Sequence, residues 1–317
     1  MKGALLAVFI VATSAHAIAA QRATEVRLAT PSPLMMTVLS RSASLVAGVS
    51  VDHNLRVWDS RDKRVMRTID VTGRDVALTA MSSDGRMILL GDYAGRVTVW
   101  NTETGQVVWE FRATRYLTAA AFSRDGRLLA IAPGSPVQLY DLGTHQLLRE
   151  LESTAGTTSV VFSRDGASLA STDGDGVRIY DVRAGTVTAK NADFVGVALA
   201  AEFSSDGKYV LAAGGDRTVL ALDAITGKTL RRSAKLPDPV FYLELSPNGG
   251  EIAVVTQNAD DPQLPAPIVF AAVPALTATL TWRSPAGVLL PGAAWSSDGH
   301  FLVATQSAGA LHVWTIR

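Results

Sequence analysis

The sequence predicts an all-β protein: a seven-bladed β-propeller of four-stranded antiparallel blades, closed by an N-terminal strand that completes the last blade. Three observations carry this. A four-residue turn recurs as Ser-Ser-Asp-Gly at 82–85, Ser-Arg-Asp-Gly at 123–126 and 163–166, Ser-Ser-Asp-Gly at 204–207, Ser-Pro-Asn-Gly at 246–249 and Ser-Ser-Asp-Gly at 296–299. Its third residues are spaced by 41, 40, 41, 42 and 50 positions. A second motif follows each turn, and the 297 residues after the first twenty divide into seven units of about 42. Four short strands in such a period are the mark of a propeller blade.

Each element has a local reason. Asp or Asn can bond the backbone two residues on and so close a tight turn. The glycine after it takes the positive φ that other residues resist. Apolar strands flank the turn, as in AAAFSRDGRLLAIA and SVVFSRDGASLAST, so it joins two hairpin strands. Counting back one period from Asp84 reaches Ser42, in a degenerate first copy. The third strand is the second motif: LRVWDS at 55–60, VTVWNT at 97–102, VQLYDL at 137–142, VRIYDV at 177–182, VLALDA at 219–224 and LHVWTI at 311–316. A polar turn such as Thr102-Glu103-Thr104-Gly105 follows, then an outer strand such as QVVWEFR. The segment Thr24–Ala29 has no blade of its own and is expected to supply the last blade's fourth strand.

Residues 1–20 are expected to be a cleavable secretory signal and residues 21–317 the propeller. Lys2 is the only charge in the leader, an apolar run spans Ala4–Ala12, and Ala15-His16-Ala17 offers a small-x-small cleavage site. The run is too short to cross a bilayer, which needs about 20 apolar residues, so no transmembrane anchor is expected in the mature chain. A periplasmic or secreted location follows from this reading.

Val57-Trp58-Asp59 after Val51-Asp52-His53-Asn54, and Val99-Trp100-Asn101, resemble the strand endings of the WD-repeat (Trp-Asp) family, in a bacterial exported form. The resemblance covers essentially the whole mature chain and implies the propeller fold. That family hosts many functions, so the fold does not name one. Many of its members carry a Gly-His pair before the blade's first strand. The only such pair here, Gly299-His300, lies in a different turn, so the family's hydrogen-bonded network is expected to be absent or partial.

Composition narrows the chemistry. Lys plus Arg and Asp plus Glu are both 29, which argues against nucleic acid as a partner. With no cysteine, disulfides, thiolate metal sites and cysteine catalysis are excluded. The mature chain's histidines, His53, His145, His300 and His312, have no ligand spacing, so no metal or other cofactor is expected. Asp173-Gly174-Asp175-Gly176 and Asn258-Ala259-Asp260-Asp261 are read as turns, since they lack the ligand count of a calcium loop. No nucleophile elbow, phosphate loop or dinucleotide fingerprint occurs.

What remains is a surface. Loops between blades, and loops between second and third strands, share one face. The repeat places Arg74, Tyr93, Arg115, Tyr116, Phe194, Arg217, Phe241, Tyr242, Trp282 and Arg283 at or near it. Tyr, Trp and Arg are enriched at binding hot spots. The longer interval in blade six adds a loop at 258–267 with Pro262, Pro265 and Pro267 on the same face. The expectation is a non-catalytic scaffold, monomeric in isolation, that binds a protein partner in the bacterial envelope. Exported propellers of this resemblance also occur as lactonases and periplasmic redox subunits. That alternative places a site over the central channel.

Overall fold

A computed structural model describes residues 24–315 apart from 29, 155, 259–266, 284–288, 297, 300 and 307–309. The leader at 1–20 therefore lies outside the described residues, as do most of the blade-six loop and His300. The described chain is all strand and turn. Blade one runs through Leu34–Leu39, Leu45–Ser50, Asn54–Asp59 and Val65–Asp70, each strand antiparallel to the last. The same meander repeats over 76–112, 119–151, 159–191, 198–232 and 240–283. First strands of successive blades pack on one another round a central axis.

The sequence expectation of one repeat seven times is corrected here. Contiguous four-strand blades number six, not seven. Dividing the length by the period counts residues, whereas a blade is defined by its strands. Only three strands follow blade six, at Leu289–Trp295, Phe301–Gln306 and Ala310–Thr315. The remaining four-stranded sheet is a composite, in which Thr24–Arg27 pairs antiparallel with Ala310–Thr315, Thr24 facing Val313 and Arg27 facing Ala310. Its first strand packs between those of blades six and one.

The core follows from the layering. Second strands are covered on both faces, so Met87–Asp92 and Glu251–Thr256 are buried along nearly their whole length. Outer strands have one free face and alternate, as in Val65–Asp70. Apolar clusters lie at the blade interfaces. Phe122, Leu129 and Ile131 of blade three pack on Leu89, Val97 and Val99 of blade two. Each such side chain contributes roughly 1.5–3 kcal/mol on burial. In all six contiguous blades the pairing of third and outer strands slips one register, just before Trp58, Trp100, Tyr140 and Tyr180 in blades one to four. Such bulges add local twist.

The recurring turn is a fixed hydrogen-bond set. In blade three the Ser123 hydroxyl donates to Asp125 Oδ1 at 2.6 Å and accepts from the Leu128 amide at 2.9 Å. Asp125 Oδ1 accepts from the Arg127 amide at 3.1 Å, and the Gly126 amide donates to the Ser123 carbonyl at 3.0 Å. The same bonds recur around Ser82, Ser163, Ser204 and Ser246. These bonds hold the Asp125, Asp165 and Asp206 carboxyls below the ordinary carboxylate range, the serine hydroxyl being the largest cause. In blade one Ala43 occupies the glycine position at φ 53°. The Asp or Asn after each third-strand aromatic caps the next turn: Asn101 Oδ1 accepts from the Glu103 and Thr104 amides, both at 2.9 Å.

Two outcomes follow from the fold. Ser123→Ala leaves a buried turn amide without its partner and is expected to cost about 1–2 kcal/mol, read as a lower midpoint in urea. A chain lacking residues 21–30 exposes the edge of Ala310–Thr315 and is expected to melt at clearly lower temperature; an unchanged melt would contradict the composite sheet.

Candidate functional site

One end of the channel is built by bulges. In blades one, two, five and six the first strand slips register against the second, leaving Met35, Ala77, Leu199 and Phe241 without an opposite residue. A bulged residue is re-aimed relative to its neighbours. Ala77, Leu199 and Phe241 accordingly line a hollow of about 460 Å³, together with Tyr93, Tyr116, Leu117 and the 156–158 connection. Tyr93 comes from the loop between second and third strands of blade two, and Tyr116 from the link to blade three. Their rings sit 5.5 Å apart at 51°. Tyr93 is 57% exposed, Tyr116 45% and Phe241 45%. Beside them Leu117 is buried against Gly91, where a Cβ would stand 3.2 Å from Leu117 Cγ. Gly91 thus leaves the space that seats the Tyr116 loop.

Three of the ten residues read from the sequence therefore line one hollow: Tyr93, Tyr116 and Phe241. Arg115 is exposed on the same connection. Arg74 is occupied within its blade: its guanidinium donates to Thr98 Oγ1 at 2.6 Å and Glu110 Oε2 at 2.8 Å, and lies 5.0 Å over the Trp100 ring. That contact holds the Glu110 carboxyl below its usual range. Arg217 takes φ 67° and donates to the Pro237 carbonyl at 3.2 Å. Phe194 packs on the core shared by blades four and five. Trp282 and Arg283 end the outer strand of blade six, opposite Ile268 and Pro267.

Tyr242 was expected on the surface and is not there. It follows the Phe241 bulge and packs on Trp295, Ala293 and Ile268, with its hydroxyl 3.3 Å from Glu244 Oε2. Burial pushes this phenol well above its ordinary value. Asp173 ends the second strand of blade four and Asp175 lies in the turn after it: Arg178 bridges them, at 2.8 Å to Asp175 Oδ2, and also donates to Asp173. His145 stacks on Trp109, with ring centroids 5.0 Å apart. Among the described residues no group of three or more His, Asp or Glu is placed to hold a metal ion.

Sequence reasoning missed the polar interior of the channel. Glu202 and Glu244 stand directly before Phe203 and Leu245, where the other blades carry Val38, Ala80, Ala121, Val161 and Ala294. Arg41, from the first turn of blade one, reaches Glu202 Oε1 at 2.9 Å across 161 residues of sequence. Two buried carboxyls share this one cation, so one keeps a proton at neutral pH. It is Glu244, pushed up to about 8 by burial and by Glu202. The only sign in the sequence was the pair of glutamates in an apolar column.

The comparisons with known proteins agree with this architecture. Residues 42–192 match the family model described as outer membrane protein assembly factor BamB, and residues 186–220 match the WD domain, G-beta repeat. The meiotic recombination protein rec14 of Schizosaccharomyces pombe is 29% identical over 114 residues, 35% of this chain and 38% of that protein. The chain thus spans well under half the length of this curated relative. The β-propeller domain of Myceliophteria thermophila Cps50 (Swd1) superposes with a TM-score of 0.77 at 16% identity, covering 93% of this chain and 100% of that one. The chain has the β-propeller fold, and parts of it match the WD-repeat and BamB-type family models.

The buried acid gives a pH prediction. Glu244 binds its proton more tightly folded than unfolded, so its contribution is full below about 4.5 and is lost as pH rises to about 8. Glu244→Gln keeps a neutral group there. The wild type is expected to lose stability relative to this variant between pH 5 and 8, at roughly 1 kcal/mol per pH unit at most. Parallel urea midpoints across that range would contradict it.

Proposed function

We propose that this chain is a non-catalytic interaction scaffold of the bacterial envelope, and that its working surface is the aromatic mouth. The observation that carries the reading is the convergence of Tyr93, Tyr116 and Phe241 on one hollow. Exposed aromatic rings offer large, rigid area to a partner. The hollow suits an apolar side chain presented by a protein segment. The leader at 1–20 supports export, as does the description of the family matched over 42–192, an outer membrane assembly factor. WD propellers generally bind proteins, which supports the same class of partner.

The test is affinity isolation from envelope extract with the wild type, Tyr93→Ala and Phe241→Ala. Each substitution is expected to leave the melting temperature within about 1–2 °C of the wild type and to weaken the captured partner by about 2 kcal/mol, some thirtyfold. An unchanged partner set would refute the surface. Export is tested separately by fractionation: the mature protein is expected outside the inner membrane and shortened at its N-terminus. Full-length protein in the cytoplasm would refute it.

A further inference from the structure

The lining of the hollow at the aromatic mouth is not uniform. Ala77, Tyr93, Tyr116, Leu199 and Phe241 contribute rings and apolar side chains, whereas Thr118, just ahead of blade three, and Thr157 and Thr158, just ahead of blade four, contribute hydroxyls. Two of these three threonines are satisfied within the protein. Thr118 Oγ1 donates to the Ala132 carbonyl at 3.1 Å. Thr158 Oγ1 lies 2.8 Å from Thr172 Oγ1 and donates to the Ala198 carbonyl. Thr157 is different. It is fully buried, and among the described residues its Oγ1 has no hydrogen-bond partner.

A buried hydroxyl without a partner costs stability, because it has left water and gained no bond in return. A group that enters the hollow and bonds Thr157 removes that cost. The connection has room for this. Gly156, also on the hollow, takes φ 91°, and no atom lies within 4 Å of where its Cβ would stand. The hydroxyl can therefore turn toward a guest without displacing a neighbour at that point.

The rings fix the rest of the guest's chemistry. Tyr93 and Tyr116 sit 5.5 Å apart and tilted, with Phe241 as a third half-exposed ring. Such rings favour another aromatic ring, packed offset or edge to face. A guest that suits both parts of the lining is a flat apolar ring with a hydrogen-bonding group at its tip. Thr157 Oγ1 can donate or accept, and so can a phenol. A phenylalanine ring would fill the same space and leave Thr157 unpaired.

We infer that the hollow is a tyrosine pocket: a partner's protein segment inserts a tyrosine among Tyr93, Tyr116 and Phe241 and sets its phenol on Thr157 Oγ1. This rests on the aromatic mouth being the working surface and adds the side chain which that surface selects. Selection by a hydroxyl is sharp, because a site holding a buried polar group rejects the analogue that cannot pair with it.

NMR titration tests it with two capped peptides at millimolar concentration, acetyl-Gly-Tyr-Gly-amide and acetyl-Gly-Phe-Gly-amide. The proteins are the wild type, Thr157→Val, Thr157→Ser and Tyr93→Ala. The wild type is expected to bind the tyrosine peptide at least about tenfold more tightly than the phenylalanine peptide. Thr157→Val should bring the two within about twofold of each other, while Thr157→Ser, which keeps the hydroxyl, should retain the preference. Tyr93→Ala should weaken both peptides alike. Thr157→Val should also melt no lower than the wild type, since it removes an unpaired hydroxyl at nearly constant shape. Equal binding of the two peptides by the wild type, no binding of either, a preference that survives in Thr157→Val, or a lower melt of that variant overturns the tyrosine pocket. The two readings fail separately. If Tyr93→Ala weakens both peptides and Thr157→Val changes nothing, the mouth stands without its tyrosine. If Tyr93→Ala changes neither, the peptides bind elsewhere and both readings fall.

Discussion

A four-stranded sheet with two apolar faces must be covered on both, and this requirement organises the chain. Each blade's faces are covered only by its neighbours, as Phe122 and Ile131 cover Val97 and Val99. No blade at the end of a row could satisfy it. The row must return on itself, and here the return uses both ends of the described chain: Thr24–Arg27 beside Ala310–Thr315. The pairing also covers the edge of Ala310–Thr315 and leaves only the four-residue strand Thr24–Arg27 at the sheet's outer edge.

A ring of covered sheets leaves few places for function. The interfaces are occupied by core, and the outer strands present alternating polar faces. The two mouths of the channel remain, and they differ. At one mouth, repeated bulges turn apolar side chains toward the axis and loops add two tyrosines. At the other lie the tight turns between first and second strands, whose exposed side chains include Arg124 and Arg164. Between them Arg41, Glu202, Glu244 and Tyr242 fill the channel with a buried polar group in which one proton compensates for a missing cation. The two mouths thus differ in chemistry.

What the sequence disclosed depended on how local the physics was. The turn was legible because its bonds need Ser, Asp and Gly at fixed offsets, all within six residues. The third strand was legible because in blades one to four its aromatic packs in the blade interface. Tyr93 and Tyr116 were legible as loop aromatics. The bulges were not, because Met35, Ala77, Leu199 and Phe241 have no residue type in common. That omission explains the misplacement of Tyr242: an extra residue in the strand shifts the alternation, so the residue after Phe241 turns into the interior. The Arg41–Glu202 pair was not legible either, since only the closed ring brings blade one opposite blade five. The count of contiguous blades failed because dividing length by period counts residues and not strands, whereas the borrowed strand was legible, since Thr24–Ala29 has no blade of its own.

Photo-crosslinking in living cells tests most directly whether the aromatic mouth is the working surface. A photoreactive phenylalanine analogue placed at Tyr116 is compared with the same analogue at Lys208, an exposed turn residue at the opposite mouth. The account predicts a discrete protein adduct from position 116 and none from position 208. Adducts of the same size from both positions, or from 208 alone, would contradict it.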